Sequence, residues 1–461
     1  MPANLQGGAG INPHATQTLA PVDLPLVADR PSRYVAPPST SPRIGRVAII
    51  TLGCKLNQAD SESIARQFTQ RGVQVIDRPA IADAYVINTC SVTHVADRKA
   101  RRMVRLARRL SPNAPIVLTG CYLQTAPADI ARELGADIAI HTRDKASIAD
   151  RIGVVRRMRA VEQPTALRTR AFVKVQEGCN DVCAFCIVPK TRGREVSEPI
   201  ERVVREVQAR EREGVQEVVL TGTQLGAYGR DAGTAPADVI AAVLAETSVP
   251  RIRFSSLQPQ DITPALLGLW DDPRLCRHFH LALQSGSDAT LRRMRRRYDV
   301  AQYRDAAQRI RAHTGDGVAI TTDVIVGFPG ETDVEFEESI AFCLEMGFAQ
   351  MHVFPYSKRS GTVAARLPDQ VPHDVKHARM QRMLAVAPES RRAFLDQFAG
   401  RVMPVLWERS RGDANGAPAW DGLTDNYIRV TARSHRELRN QLTVARLVTV
   451  NADGGFEGEA L

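Results

Sequence analysis

Six of the eight cysteines in this chain stand where thiolate chemistry is expected. Three lie in one short stretch, Glu177-Gly178-Cys179-Asn180-Asp181-Val182-Cys183-Ala184-Phe185-Cys186, spaced by three and then two residues. Three thiolates on one tight loop can hold three corners of an iron–sulfur cube and leave the fourth iron open to a small molecule. A zinc knuckle is the competing reading. Zinc prefers four closed ligands, however, and no fourth Cys or His follows at finger spacing; the nearest downstream histidine is His278. A disulfide fits worse, because three is odd and no basic-then-apolar secretion signal is present.

The other three cysteines are far apart in sequence. Val47-Ala48-Ile49-Ile50, Ala84-Tyr85-Val86-Ile87 and Ile116-Val117-Leu118 are short apolar runs, and Ile138-Ala139-Ile140 is a fourth. The first three lead into Thr51-Leu52-Gly53-Cys54, Asn88-Thr89-Cys90 and Thr119-Gly120-Cys121. Such runs, separated by helix-like segments, predict an open parallel sheet with crossover helices. Each cysteine then sits just beyond the carboxyl end of a strand, along the edge where open sheets bind ligands. Cys54, Cys90 and Cys121 are therefore expected to converge as a second three-thiolate site. Separate packing of three small apolar residues is the plainer alternative, and their repetition at one topological position argues against it.

The loop at Cys179 needs a different support. Arg170–Gln176 reads as a strand running straight into it, and five more strands follow at 217–220, 251–254, 278–283, 319–326 and 351–354. Helical patterns such as 201–213 and 333–346 lie between them. Six strands with intervening helices predict a partial (β/α) barrel with its function at the carboxyl strand ends. Small and amide residues at those ends, in Gly222-Thr223-Gln224, Gln284-Ser285-Gly286-Ser287 and Gly327-Phe328-Pro329-Gly330-Glu331, leave donors for a polar ligand. By that placement Gly222, Gln284 and Gly327 are candidate cofactor contacts. Cys276 and Cys343 stand alone and are expected to be structural. After a helical tail at 372–398, short strands at 401–407, 427–431 and 447–450 predict a small β-barrel-like module.

The domain organisation expected is a disordered leader over 1–44, rich in Pro, Ala, Ser and Thr, a sheet domain over 45–155, a barrel over 165–398 and the β-module over 399–461. A Pro-containing linker joins the first two folded parts. At 461 residues, 44% hydrophobic and 24% charged, the composition is that of a globular protein. No apolar run reaches the length of a membrane span. Eight cysteines without an export signal fit reduced thiols, so a cytoplasmic location is expected. The net charge of +10 and pI near 9.4 favour a polyanionic partner. Two basic segments could meet phosphates. One is the helix pattern over 97–109, whose apolar stripe is expected at Val95, Met103, Leu106 and Leu110; the other is Arg292-Arg293-Met294-Arg295-Arg296-Arg297.

With these residues in place, Cys179-x3-Cys183-x-Phe185-Cys186 resembles the signature of the radical S-adenosylmethionine enzymes. Together with Cys54, Cys90 and Cys121 the chain is similar to their methylthiotransferase branch, and its terminal module resembles a TRAM domain. The contexts Gly53-Cys54-Lys55-Leu56-Asn57 and Val353-Phe354-Pro355-Tyr356-Ser357-Lys358 most resemble the subfamily acting on N6-threonylcarbamoyladenosine at position 37 of tRNA. Subfamilies acting on isopentenyladenosine or on an aspartate of a ribosomal protein are the alternatives. The resemblance implies two [4Fe-4S] clusters, one on Cys179, Cys183 and Cys186 that binds and cleaves S-adenosylmethionine, and one on Cys54, Cys90 and Cys121 that presents sulfur. It implies Phe185 beside the cofactor, attack at C2 of the adenine, the tRNA anticodon arm as partner, and separate electron and sulfur donors. An aryl C–H bond lies beyond side-chain acid–base chemistry, which is why a cofactor must carry that step.

Overall fold

The computed structural model describes residues 44–154 other than 128, residues 169–412 and residues 416–461, without the side chain of His94. The leader, apart from its last residue, and the 155–168 part of the expected linker lie outside the described residues.

Five strands form the first sheet: β1 (Arg46–Thr51), β2 (Gln74–Ile76), β3 (Ala84–Thr89), β4 (Ile116–Gly120) and β5 (Ile138–Ala139). All pair in parallel, in the order β2-β1-β3-β4-β5. β3 and β4 are central and wholly buried, which is why they read as unbroken apolar runs. β2 escaped the sequence reading because three residues at an edge show no period. The order reverses between β1 and β3, and the crevice outside the carboxyl ends at such a reversal is where open sheets hold ligands. Cys54 and Cys90 flank it. The helix His94–Leu110 meets expectation in part: Met103 and Leu110 pack on the core, but the buried seam is Ala100, Val104 and Ala107, and Val95 is 57% exposed. Spacing by three and four from Ala100 makes the buried seam, and small alanines hid it. Its basic face is outward, with Arg98, Lys99, Arg102, Arg105 and Arg109 exposed.

The second unit contains β6 (Arg170–Lys174), a small antiparallel ladder of β7 (Gln176–Glu177) and β8 (Val196–Ser197), then β9 (Glu217–Thr221), β10 (Arg251–Phe254), β11 (Ser256–Leu257), β12 (His278–Leu281), β13 (Ala319–Val326) and β14 (Gln350–Pro355). All six expected barrel strands are present. With the short β11 they run in parallel as β6-β9-β10 and β11-β12-β13-β14, joined by a bridge from Ile252 to Leu275. Among the described residues β6 and β14 are not paired, so the barrel is open between them. The helix Lys55–Thr69 packs on β6 at that opening. Cys276 and Cys343 are buried, as expected for structural thiols.

β15 (Val402–Arg411), β16 (Ala419–Thr424), β17 (Arg429–Arg433), β18 (Leu442–Val450) and β19 (Phe456–Ala460) close a small barrel in the order β15-β16-β17-β19-β18. β16 and β19 carry Asp421-Gly422 and Gly458-Glu459, a turn-like composition that masked them in the sequence. Arginines of β10 dock this barrel on the larger one. Arg251 donates to the Leu423 and Pro404 carbonyls at 2.8 and 2.7 Å, and Arg253 to the Asp425 carbonyl at 2.9 Å. Arg253 also pairs with the fully buried Glu217 at 2.9 Å. Burial opposes ionisation of Glu217, yet Arg253 and Arg170 hold its carboxyl down at about 2, against an ordinary 4.5. A depressed carboxyl stabilises the fold above its unfolded value and loses that contribution as pH falls through the folded one. Wild-type protein is therefore expected to lose roughly 3 kcal/mol from this site between about pH 4.5 and pH 2. Thermal melts of wild type and Glu217→Gln across that range should converge as the pH drops.

Candidate active site

The three upstream cysteines are brought together by hydrogen bonds from side chains that neighbour them. Asn57 Nδ2 donates to the Leu52 carbonyl at 2.6 Å and to the Thr89 carbonyl at 2.9 Å, tying the Cys54 turn to the Cys90 turn. Asn88 Nδ2 returns a bond to the Asn57 carbonyl at 2.8 Å, and Thr89 Oγ1 donates to the Thr119 carbonyl at 2.6 Å, next to Gly120-Cys121. Gly53, at φ +102°, lets Cys90 close in: a Cβ there would stand 2.8 Å from the Cys90 sulfur. The expected convergence is found. Cys54, Cys90 and Cys121 line one side of a single cavity of about 380 Å³. Burial and the neighbouring Cys121 and Cys54 push the Cys90 thiol up to about 11.

The downstream loop is held equally firmly. Gly178 takes φ +75° and any Cβ there would meet the Arg194 carbonyl oxygen at 1.9 Å, so the loop can fold back on 193–194 only with glycine. Each sulfur has one donor: Asp181 N–H to Cys179 at 3.3 Å, Val188 N–H to Cys186 at 3.4 Å, and the Arg296 guanidinium to Cys183 at 3.3 Å. Burial pushes Cys179 and Cys186 up to about 12, so these thiols stay protonated until a cation displaces the proton. Sulfurs with an N–H donor each suit thiolates of an iron–sulfur cluster, whose potential such bonds tune. The residues present fit that group. Among the described residues, no three His, Cys, Asp or Glu side chains converge tightly enough for a single metal ion.

Arg192, which ends the short helix after the loop, joins the two cysteine sets. It is buried, donates to Asp60 at 3.2 Å and to Glu177 at 2.6 Å, and also bonds Asn57 Oδ1. Asp60 takes Lys145 at 2.6 Å and Lys174 at 3.3 Å as well. Burial opposes the charge on Asp60, but these three cations hold its carboxyl well below the usual range. The residue that fixes the Cys54 turn, Asn57, is thus fixed in turn by the segment that carries Cys186.

From the cysteines the cavity runs into the barrel. Thr221, Gly222 and Thr223 line it at the end of β9, and His278, His280, Thr321, Asp323, Gln350 and His352 line it from β12, β13 and β14. The register pairs His280 with Thr321, Thr321 with Gln350, and Asp323 with His352, so these polar residues share one face. Tyr427 of the small barrel closes the floor, stacked on His278 with ring centroids 4.4 Å apart and capped by Arg253 at 4.9 Å. Of the four candidate cofactor contacts, Gly222 lines this cavity. Phe185 packs edge-on against Phe328 at 6.4 Å. Gln284, at φ 69°, bridges β12 to β13, and Gly327 N–H bonds Glu331 at 2.9 Å beneath Lys376. The basic run 292–297 is mostly committed to the protein: Arg296 serves Cys183, Arg297 pairs with Asp181 at 3.0 Å and Arg293 with Glu335.

Residues 173–343 match the Radical SAM superfamily, and residues 46–141 match the Uncharacterized protein family UPF0004. The barrel with its three-cysteine loop is thus a radical S-adenosylmethionine unit. Threonylcarbamoyladenosine tRNA methylthiotransferase MtaB of Bacillus subtilis is 36% identical over 428 residues, covering 87% of this chain and 93% of its own length. The MtaB of Aquifex aeolicus is 34% identical, covering 85% of this chain and 98% of its own length. The tRNA-2-methylthio-N(6)-dimethylallyladenosine synthase of Anaeromyxobacter dehalogenans is 37% identical, covering 84% of this chain and 89% of its own length. The chain belongs to the radical S-adenosylmethionine tRNA methylthiotransferases. No helix among the described residues is long and apolar enough to cross a membrane.

Proposed function

We propose that this enzyme places a methylthio group on C2 of N6-threonylcarbamoyladenosine at position 37 of tRNA. One observation carries the transfer chemistry, and the names of the Bacillus and Aquifex relatives support the substrate: two three-cysteine sets are braced against each other through Arg192 and Asn57, beside a cavity that leads from one set into the barrel. Cys179, Cys183 and Cys186 would hold one [4Fe-4S] cluster, and Cys54, Cys90 and Cys121 a second. Bound there with S-adenosylmethionine, the clusters supply one-electron cleavage of a C–S bond and a sulfur to transfer. The protein's own residues do the rest. Phe185 supports the loop, Gly222 lets a ligand approach the end of β9, and the cavity walls orient the adenine. The exposed cations Arg98, Lys99, Arg102, Arg105 and Arg109 follow Cys90 on one helix face and would hold phosphates of the anticodon arm, while the unstacked base enters the cavity. An electron donor and a sulfur donor complete the cycle.

The name of the Anaeromyxobacter relative supports a second reading, action on a dimethylallyl-type adenosine. Mass spectrometry of tRNA nucleosides from a strain lacking the gene separates the two. Loss of 2-methylthio-N6-threonylcarbamoyladenosine is expected; loss of the methylthio isopentenyl nucleoside instead overturns the proposal.

Arg296 gives a prediction on the loop itself. Its guanidinium sits on Tyr298 at 4.7 Å, bonds Gln258 at 2.9 Å and reaches the Cys183 sulfur. A cation and a donor at a ligand sulfur favour the more negative, reduced cluster. In Arg296→Met the first reduction potential is expected to fall by on the order of 60 mV, a tenfold change for one electron. A redox titration followed by electron paramagnetic resonance reads it.

A further inference from the structure

We infer that the end of the cavity away from the cysteines is a carboxylate-binding site, with Lys55 as its anchor, and that it selects the threonyl side chain of the substrate adenosine. This rests on the function proposed above. Lys55 follows Cys54, lines the cavity, and faces Tyr427 and Asp323 across it. Among the described residues it makes no hydrogen bond or ion pair with its ammonium, whereas the arginines nearby are committed: Arg192 to Asp60 and Glu177, Arg253 to Glu217, and Arg170 to Glu408 at 2.5 Å. A lysine that faces the cavity with no direct ion pair, while the nearby Asp323 is engaged by His280 at 3.3 Å, is a place for an anionic ligand group.

The walls around it need further partners. His278, His280 and Thr223 all line the same space, and the His278 Nδ1, His280 Nδ1 and Thr223 Oγ1 atoms are buried without a hydrogen-bond partner. His280 Nε2 lies 3.3 Å from Asp323 and His278 Nε2 lies 3.1 Å from Thr321. With those nitrogens protonated, both Nδ1 atoms are acceptors. Buried polar atoms left unpaired are costly, so they are expected to meet ligand groups. The site therefore offers one cation without an ion pair, two imidazole acceptors and the Thr223 hydroxyl, beside an Asp323 carboxylate that His280 engages at 3.3 Å. A threonylcarbamoyl group carries one carboxylate, a hydroxyl and ureido N–H donors, and meets that set. It also leaves the adenine from N6, so a base with C2 toward Cys54, Cys90 and Cys121 sends this group away from them, toward the histidines. An isopentenyl group would leave every one of these atoms unpaired, and sites built for hydrogen bonds reject apolar analogues strongly.

The test uses the full-length protein and three anticodon stem–loop RNAs that differ only at position 37, carrying the threonylcarbamoyl group, the isopentenyl group or plain adenosine. Wild type is expected to bind the threonylcarbamoyl loop most tightly. In Lys55→Met its affinity should fall on the order of tenfold or more toward that of the plain loop, and Lys55→Arg should retain the preference, because the cation is kept. Circular dichroism and iron content of both variants report folding. If Lys55→Met is folded and keeps the wild-type preference, the carboxylate site is wrong. If it loses affinity for S-adenosylmethionine and not for the modified loop, the lysine serves that cofactor and the inference is also wrong. If wild type itself prefers and converts the isopentenyl loop, the proposed function fails, a result distinct from either.

Discussion

The Cys54→Ala protein is expected to cleave S-adenosylmethionine to deoxyadenosine under reducing conditions and to yield no methylthio product. The structure separates what the two cysteine sets touch. Cys179, Cys183 and Cys186 receive their donors from Asp181, Val188 and Arg296, all within the barrel unit, so nothing that holds them is removed with Cys54. The Cys54 side chain lies in the cavity with Cys90 and Cys121, at the turn fixed by Asn57. Losing one of three donors there should empty the proposed second cluster site and stop transfer outright, a loss of at least several orders of magnitude that product detection will limit. Cys183→Ala is the complementary case, expected to abolish deoxyadenosine formation and, with it, product. Liquid chromatography of deoxyadenosine and of tRNA nucleosides from the same reactions reads both. A Cys54→Ala protein that still makes the methylthio nucleoside would refute the division between the two sets.

The sequence carried the chemistry further than it carried the walls around it. Cysteines announce themselves by type, and the strands that present them are short apolar runs bounded by turn residues, so both sets and the six barrel strands could be located without coordinates. The barrel interior was harder. β12, β13 and β14 read as His-Phe-His-Leu, Ala-Ile-Thr-Thr-Asp-Val-Ile-Val and Gln-Met-His-Val, where period-two alternation puts His278, His280, Thr321, Asp323 and His352 on one face. That signal was present, but an alternating strand says only that its two faces differ, not that the polar one looks into a cavity. Tyr427 left no local trace at all. It reaches His278 only because arginines of β10 dock the terminal barrel, a contact between residues well over a hundred positions apart. The basic run 292–297 shows a limit of the converse kind. Charge density suggested phosphates, while three of its five arginines bond Cys183, Asp181 and Glu335, and Arg292 and Arg295 stay exposed.

Arg192→Met is expected to be the most disruptive change outside the cysteines. Methionine fills similar volume and keeps the buried stem, so the effect isolates the guanidinium. Its loss takes one cation from Asp60 and one from Glu177, and leaves the buried Asn57 Oδ1 without its donor. Breaking a buried pair from one side costs roughly 3–5 kcal/mol; Lys145 and Lys174 remain on Asp60, which places the expected loss toward the lower end of that range. The pH dependence has a definite sign. The carboxyl of Asp60 is held below its ordinary value, so its contribution is present above the unfolded value and fades as the solution is acidified. With one of three cations gone that contribution shrinks, and the gap between wild type and variant should be widest near neutral pH and narrow in acid. Melting curves across pH test this. A second effect should appear in function even where the variant stays folded: with Arg192 gone, the segment carrying Cys186 no longer fixes the Asn57 that sets the Cys54 turn. Transfer should then fall more than deoxyadenosine formation does, raising the ratio of cleaved S-adenosylmethionine to methylthio product. An unchanged ratio in a folded, iron-replete variant would show that the two sets keep their register without this arginine.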